Sequence, residues 1–313
     1  MSRATKILLI ALILSLPLWW GVNIFQRNLE NFMVAQISEP LQNIVLIEIP
    51  KKPEKPKLEL QAAAAMSVKI NENRQPKILF QENINKPLAI ASLTKLMTAL
   101  IVLRDPQNYD FESTEILISN KAANQENVPN YGNLKSGEQF NIESLLSLML
   151  FYSSNDAASA LSEVIGAENF VEKMNLKTKD LGLQNTHFVN PTGLDPENEN
   201  LHYDAENSEF YNYSTTQDLA ILAENILKEY PLIFDISIKE GSYPFKNGVS
   251  NLVIPENQKI IGSKTGYTDE AGGCMILILS DAKNNFFINI ILGALSAEDR
   301  VIEMQKLVDW LNI

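Results

Sequence analysis

Apolar, strand-like runs stand at both ends of the foldable part of this chain, and helix-patterned segments fill the middle. Residues 62–70 are apolar enough for a buried strand, residues 71–76 (NENRQP) make a turn, and residues 77–81 return, which predicts a hairpin. At the far end, residues 275–279 and 286–294 are two further strand-like runs joined by the hairpin loop 281–285. Between these ends, residues 92–103 place Leu93, Leu96, Met97, Leu100 and Ile101 at helical spacing. Residues 141–151, 156–165 and 215–227 read as further helices, with Asn155 or Asp156 capping the second of these and Thr215 or Thr216 the third. An amphipathic helix over 298–311 closes the chain. One sheet must then be assembled from strands far apart in sequence, with the helices inserted between them. The expected class is α+β: an antiparallel sheet flanked by helices, plus a helical lobe.

Ahead of this domain the chain has a different character. Arg3 and Lys6 precede an apolar run from Ile7 to Phe25 that no charge interrupts. As a helix, its 19 residues would extend roughly 28 Å, close to the ~30 Å hydrocarbon core of a bilayer. No clear A-x-A cleavage site follows, and Trp19 and Trp20 lie near the far end, where interfacial aromatics belong. Residues 1–27 therefore read as an uncleaved, single-pass signal-anchor in the cell membrane. The basic flank keeps the N-terminus in the cytoplasm and puts the rest of the chain on the extracytoplasmic side. Residues 28–60 read as a tether, because residues 49–57 (IPKKPEKPK) are rich in proline and lysine and should be extended and solvated. Residues 41–49 fit a short strand or a helix turn. The domain is expected from Gln61 to Ile313.

Charge and rare residues remove several functions. With 26 Lys and Arg against 38 Asp and Glu the net charge is −12, unsuited to a nucleic-acid partner. The single cysteine, Cys274, excludes an intramolecular disulfide and a Cys-rich zinc site, and two histidines, His187 and His202, argue against a multi-His metal centre.

Three short motifs carry the chemistry. In Ser92-Leu-Thr-Lys95 the lysine lies one turn beyond the serine on the same helix face, so its amine can reach the hydroxyl. A serine is a weak nucleophile until a base takes its proton, and a lysine serves once burial or a nearby cation lowers its pKa. Ser153-Ser-Asn155 puts a hydroxyl and an amide between two helical runs, where one can relay a proton and the other hold a carbonyl. Lys264-Thr-Gly266 offers a cation and a hydroxyl for a carboxylate, and the glycine admits substrate backbone closely. On a strand Lys264 and Gly266 would face one way and Thr265 the other. Each motif alone is explained as simply by a capping serine, an interhelical turn or a solvated lysine. In this order the set is the signature of penicillin-binding proteins and class A β-lactamases.

The flanking words narrow the match. ASLTKLMTAL, SNDAA, LGLQNTHF, NPTGLD and KTGYTDEAG closely resemble the low-molecular-mass D-alanyl-D-alanine carboxypeptidases, penicillin-binding serine peptidases, over about residues 61 to 313. The resemblance implies the penicillin-binding/β-lactamase-like transpeptidase fold and removal of the terminal D-alanine from peptidoglycan stem pentapeptides. The process is peptidoglycan biosynthesis, and through it cell-wall organisation and cell shape. It implies Ser92 as nucleophile, Lys95 as base, Ser153 as proton relay to the leaving amine, and Asn155 as the group that orients substrate and Lys95. Lys264 supplies positive charge, Thr265 binds the terminal carboxylate beside Gly266, and the backbone N–H groups of Ser92 and Tyr267 form the oxyanion hole. Neither metal nor cofactor is implied. The expected partners are stem peptides, β-lactams as covalent inhibitors and the membrane through the N-terminal segment. His187 is expected to be structural.

The chain departs from the family pattern in three ways. It stops after the closing helix, where many members continue into a β-rich domain and a C-terminal anchor. Residues 195–213 are long and acidic and look like an insertion near the cleft or in the helical lobe. No arginine occurs between Arg104 and Arg300, so the carboxylate contact that some members make with an arginine upstream of K-T-G is expected from Lys264, Thr265 or backbone. A D,D-endopeptidase that cuts cross-links uses the same residues. A β-lactamase is disfavoured by the lack of an E-x-x-L-N motif after Ser153, and an inactive wall-binding homologue has no need of Ser92, Lys95, Ser153 and Lys264 together.

Overall fold

The computed structural model describes residues 55–312 except 72–74, 112, 126–131, 197–202, 205 and 240–248, together with part of residues 3–31. The chain divides into two compact units, Met1–Glu54 and Lys55–Ile313. In the first, residues 20–29 are helical and exposed. Most of the apolar run 7–25 lies outside the described residues. Among the described residues no helix is long and apolar enough to cross a membrane.

The second unit is organised by a five-stranded sheet whose neighbouring strands are all antiparallel. Its strands are β1 (Ala64–Ile70), β2 (Pro76–Glu82), β7 (Gln258–Thr268), β8 (Gly272–Asp281) and β9 (Phe286–Ala294), in the order β2-β1-β9-β8-β7. The expected discontinuous sheet is present: β1 pairs with β9 from Ala64↔Leu292 to Ile70↔Phe286. Short strands β3 (Leu88–Ala89) and β6 (Tyr213–Ser214) pair with each other, as do β4 (Glu115–Leu117) and β5 (Gln139–Asn141).

The helices of the lobe are α1 (Thr94–Leu103), α2 (Ile142–Phe151), α3 (Asn155–Glu163), α4 (Ala167–Leu181), α5 (Thr216–Glu229) and α6 (Leu232–Ile238), and α7 (Asp299–Leu311) closes the unit. Side-chain alternation splits the core between the two faces of the sheet. Met275, Leu277, Leu279 and Ile291 join Met304, Leu307 and Val308 of α7 on one side. Cys274, Ile276, Ile278, Ile288, Ile290 and Leu292 join the lobe on the other. Eight consecutive residues of β8 are buried, as expected for a strand covered on both faces. Every residue of α1 from Thr94 to Val102 is buried, so this helix runs through the middle of the lobe.

Four local expectations need correction. Ser92 does not begin the helix: it sits in a 3-10 turn, Ala91–Leu93, and α1 starts at Thr94. The cap of α3 is Ser154, whose hydroxyl accepts from Ala157 N at 3.1 Å, not Asn155 or Asp156. With the helix end satisfied by Ser154, the amide of Asn155 is left to turn elsewhere. The helix α4 has no counterpart in the apolar pattern, because two of its four buried side chains are Lys177 and Thr178 rather than hydrophobes. The described end of the tether, at Lys55 and Pro56, is docked where the sequence predicts solvation. Lys55 Nζ donates to the carbonyls of Trp310 and Leu311 at 3.0 and 3.1 Å, a cation on a helix C-terminus. The Trp310 indole donates back to Pro56 O at 2.6 Å and meets Phe80 edge to face. Contacts with α7 therefore begin earlier in the chain than Gln61.

Candidate active site

The three motifs, spread over more than half of the domain, meet in one place. Ala91 takes the left-handed backbone conformation (φ 45°) and Ser153 does the same (φ 62°), which costs a residue with a Cβ about 1 kcal/mol or more. The first places Ser92 in its tight turn before α1. The second turns Ser153 out of the α2–α3 connection. Strained residues flanking both hydroxyls are the kind of local exception that a site, rather than a scaffold, tends to hold.

Lys95 Nζ is within hydrogen-bond distance of three oxygens: Ser92 Oγ at 2.9 Å, Asn155 Oδ1 at 2.7 Å and Thr192 O at 2.6 Å. Lys95 is fully buried, yet none of these partners is a carboxylate. Burial first, and the nearby charge of Lys264 second, hold its pKa well below the ordinary lysine value. A neutral amine has two N–H groups and one lone pair. With Asn155 Oδ1 and Thr192 O taking the two protons, the lone pair is left for the Ser92 hydroxyl.

Lys264 is also buried, and its Nζ donates to Ser153 Oγ at 2.9 Å and to Thr265 O at 2.8 Å. Burial, then Arg300, push its pKa down to about 7. Because both lysines are depressed, the folded chain binds fewer protons than the unfolded one between their folded values and the ordinary lysine value. Their burial therefore costs most stability at acid pH, and the cost fades as pH rises toward that value.

The strand register explains the rest of K-T-G. Thr265 pairs with Met275, on the α7 face, while Lys264 and Gly266 pair with Ile276 and Cys274, on the lobe face. Gly266 is pressed against the nucleophile's turn: a Cβ there would lie 2.9 Å from Ser92 N and 3.0 Å from Ala91 Cβ. Any larger residue would push β7 off the turn. Tyr267 follows and is 46% exposed, outside the core.

Two groups had no signal in the motifs. Residues 190–193 (Asn-Pro-Thr-Gly) supply the Thr192 carbonyl to Lys95, and Gly193 (φ 86°) sits so close to Ala91 that a Cβ would overlap the Ala91 carbonyl. Arg300, from α7, donates through Nη1 to Gly266 O at 2.7 Å, and its Nε is buried with no acceptor among the described residues. No arginine lies upstream of K-T-G as far back as Arg104, but one reaches the K-T-G strand from downstream, on a different element. Nothing local could have revealed it, since it lies 34 residues after Gly266.

His187 stands apart from this cluster. Its backbone pairs with Tyr213, its ring tilts on the Tyr213 ring, and burial lowers its pKa. His202 lies outside the described residues. Among the described residues no cluster of His, Cys, Asp and Glu could hold a metal ion.

The model of peptidase family S11, D-alanyl-D-alanine carboxypeptidase, matches residues 50–296. The chain belongs to this family. The D-alanyl-D-alanine carboxypeptidase DacF of Bacillus subtilis (strain 168) is 32% identical over 263 residues, which cover 80% of this chain and 62% of DacF. The chain thus spans about three fifths of that relative's length. A D-alanyl-D-alanine endopeptidase of Escherichia coli (strain K12) is 29% identical over 266 residues, 81% of this chain and 78% of its own. Among solved structures, penicillin-binding protein D2 from Listeria monocytogenes, in its cefotaxime-bound form, superposes with a TM-score of 0.68 at 28% identity, over 83% of this chain and all of that one. The antiparallel sheet with its flanking helices is the penicillin-binding fold that the motifs imply.

Proposed function

We propose that this chain is a serine-type D-Ala-D-Ala carboxypeptidase that removes the terminal D-alanine from peptidoglycan stem pentapeptides through an acyl-enzyme on Ser92. The observation that carries the reading is the environment of Lys95: a buried amine held by two neutral acceptors with Ser92 Oγ as its third neighbour. Ser92 Oγ attacks the carbonyl between the last two D-alanines while its proton passes to Lys95 Nζ. Negative charge develops on the carbonyl oxygen in front of the Ser92 and Tyr267 N–H groups. The C–N bond then breaks, and the leaving amine takes a proton from Ser153 Oγ, which Lys264 orients and which is resupplied with the proton that Lys95 took from Ser92, so that Lys95 returns to its neutral form. D-Alanine departs. Water, losing its proton to Lys95, attacks the ester carbonyl and restores the serine hydroxyl. In this reading Lys264 and Arg300 place positive charge beside the strand that carries Thr265 and Gly266, where the terminal carboxylate lies.

β-Lactams acylate the same serine in this reading, in keeping with the cefotaxime- and ampicillin-bound forms of the Listeria protein. A signal-anchor over residues 1–27, followed by a tether, would hold the domain on the extracytoplasmic side beside its substrate. The support is the uninterrupted apolar run and its basic flank. A second reading, cleavage of D,D cross-links, is favoured by one observation: the match to the E. coli endopeptidase spans 78% of that protein, against 62% of DacF.

Incubation with a stem pentapeptide and, separately, with a cross-linked muropeptide dimer tests the two readings. D-Alanine release from the pentapeptide exceeding dimer cleavage is expected. Dimer cleavage without D-alanine release would make the chain an endopeptidase, and a folded chain that does neither would overturn both.

The pH dependence of acylation follows from the two lysines. Acylation gains with pH as Lys95, held well below the ordinary lysine value, loses its proton, and it loses on the alkaline side as Lys264 gives up its own at about 7. Lys264→Arg keeps its charge at all accessible pH, so the variant should lose the alkaline limb. An alkaline limb that persists unchanged in the variant would assign that limb to another group.

A further inference from the structure

Residues 190–195 bridge the Ser92–Lys95 side of the site and the end of β7. Asn190 Oδ1 closes the loop on itself by accepting from Thr192 N, Thr192 Oγ1 and Gly193 N at 3.1, 3.0 and 2.7 Å. Asn212 Nδ2 donates to the same oxygen at 3.0 Å and to Thr94 Oγ1 of α1 at 3.0 Å. At one end of the bridge, Thr192 O takes the Lys95 amine and Gly193 lies against Ala91. At the other end, Asp195 Oδ1 accepts from Thr268 Oγ1 at 3.0 Å and Oδ2 from Glu270 N at 3.3 Å. Thr268 Oγ1 in turn accepts from Ala271 N at 3.1 Å. One carboxylate thereby ties the end of β7 and the turn into β8 to the loop that also holds the catalytic base.

We infer that Asp195 is a positioning residue for the oxyanion hole, setting the separation between the Ser92 and Tyr267 N–H groups by anchoring the β7–β8 turn to the loop that carries Thr192. This rests on the reading that Ser92 is acylated and Tyr267 N–H faces the developing charge. The geometry makes the role specific. Tyr267 directly precedes Thr268, so its N–H sits within one residue of the anchored hydroxyl. The nucleophile side of the hole is held by Lys95, at 2.9 Å from Ser92 Oγ, and Gly266, the residue before Tyr267, lies against Ser92 N. An oxyanion hole acts only when its donors lie within a few tenths of an ångström of hydrogen-bond distance from the charged oxygen. Releasing the turn would widen one side of the hole and leave the Ser92–Lys95 pair in place.

The test follows penicillin acylation of Ser92 by intact mass, resolved into a rate constant at saturation and a half-saturating concentration, with melting temperature recorded for each variant. Asp195→Ala is expected to lower the rate constant by about 10- to 100-fold, less than the loss of a whole oxyanion donor, with little change in half-saturation. Asp195→Asn should recover most of the rate, since its amide accepts from Glu270 N through one atom and donates to Thr268 Oγ1 through the other. Thr268→Val should reproduce the loss, and adding it to Asp195→Ala should lower the rate no further. A folded Asp195→Ala chain with the parent rate constant overturns the inference. So does a loss carried wholly by half-saturation, or full additivity of the two substitutions. If Asp195→Ala does not fold, Thr268→Val and Asp195→Asn decide alone. Failure of the parent chain to acylate at all is a different result and refutes the function proposed above.

Discussion

Ser92→Ala ends covalent labelling by penicillin and lowers D,D-peptidase turnover by a factor on the order of 10⁴ or more. The size follows from the geometry. Ser92 Oγ is the hydroxyl at Lys95 Nζ, 2.9 Å away. Ser153, the other hydroxyl of the cluster, is held by Lys264, a cation with no free lone pair while it is protonated. Below about pH 7, where Lys264 is protonated, Ser153 therefore finds no base in that lysine to activate it as a substitute. Ser92 is not part of the hydrophobic core, so Ser92→Ala should melt within a few degrees of the parent. Intact mass after incubation with penicillin is the measurement, and a surviving adduct on the variant would remove Ser92 from the mechanism.

Lys95→Ala slows acylation by about 10²- to 10⁴-fold, the usual range for removal of a general base. It also leaves Asn155 Oδ1 and Thr192 O facing a cavity without their donor, a cost of about 1–3 kcal/mol for each buried acceptor left unsatisfied. Removing a buried amine with a depressed pKa offsets part of that. Lys95→Arg separates base from brace, because a guanidinium supplies donors to both acceptors and stays protonated. Both variants should acylate slowly, while melting should fall less in the arginine form. Stopped-flow acylation together with thermal unfolding checks both statements. Parent-like acylation in Lys95→Arg would mean that Lys95 holds the site in shape and another group takes the proton.

The depressed pKa values make the same point about how the site is built. Among the described residues neither Lys95 nor Lys264 has a carboxylate as a hydrogen-bond partner. An ion pair would hold such an amine protonated, which is the state a base must leave. Neutral acceptors satisfy the N–H groups without that penalty, and after burial the charge of Lys264 beside Lys95, and of Arg300 beside Lys264, pushes each amine further toward the neutral form.

Much of this was legible from the residues in order. The continuous apolar runs of residues 62–70 and 286–294, and the helical spacing around Leu93, Leu96, Leu100 and Ile101, are properties of neighbours on one element. Each element declares them without reference to the others. The same holds for the pair Ser92 and Lys95, whose 3-residue separation suffices to bring amine to hydroxyl even though the first turn is 3-10 rather than α. Capping was legible in type but not in position. Ser154, Asn155 and Asp156 are all competent caps, and Ser154 took the role while Asn155 turned to Lys95. The strap at Lys55 was misread because proline and lysine are abundant in solvated tethers, and the indole that receives them lies 254 residues away in Trp310.

By itself the sequence determined the kinds of group available, the order of the three motifs and the strand and helix content that forces the two ends of the domain into one sheet. Only the tertiary structure decided which groups meet. Lys95 finds Asn155 across 60 residues and the Thr192 carbonyl across 97, and Lys264 finds Ser153 across 111. Arg300 reaches Gly266 from the helix behind the sheet, and Asp195 clamps the turn beyond Tyr267. The physical reason is range. Periodicity and capping are set by interactions three or four residues apart, whereas a lysine's pKa and the spacing of an oxyanion hole depend on what is packed against them. That packing is determined only when burial of the whole core closes the sheet over the lobe.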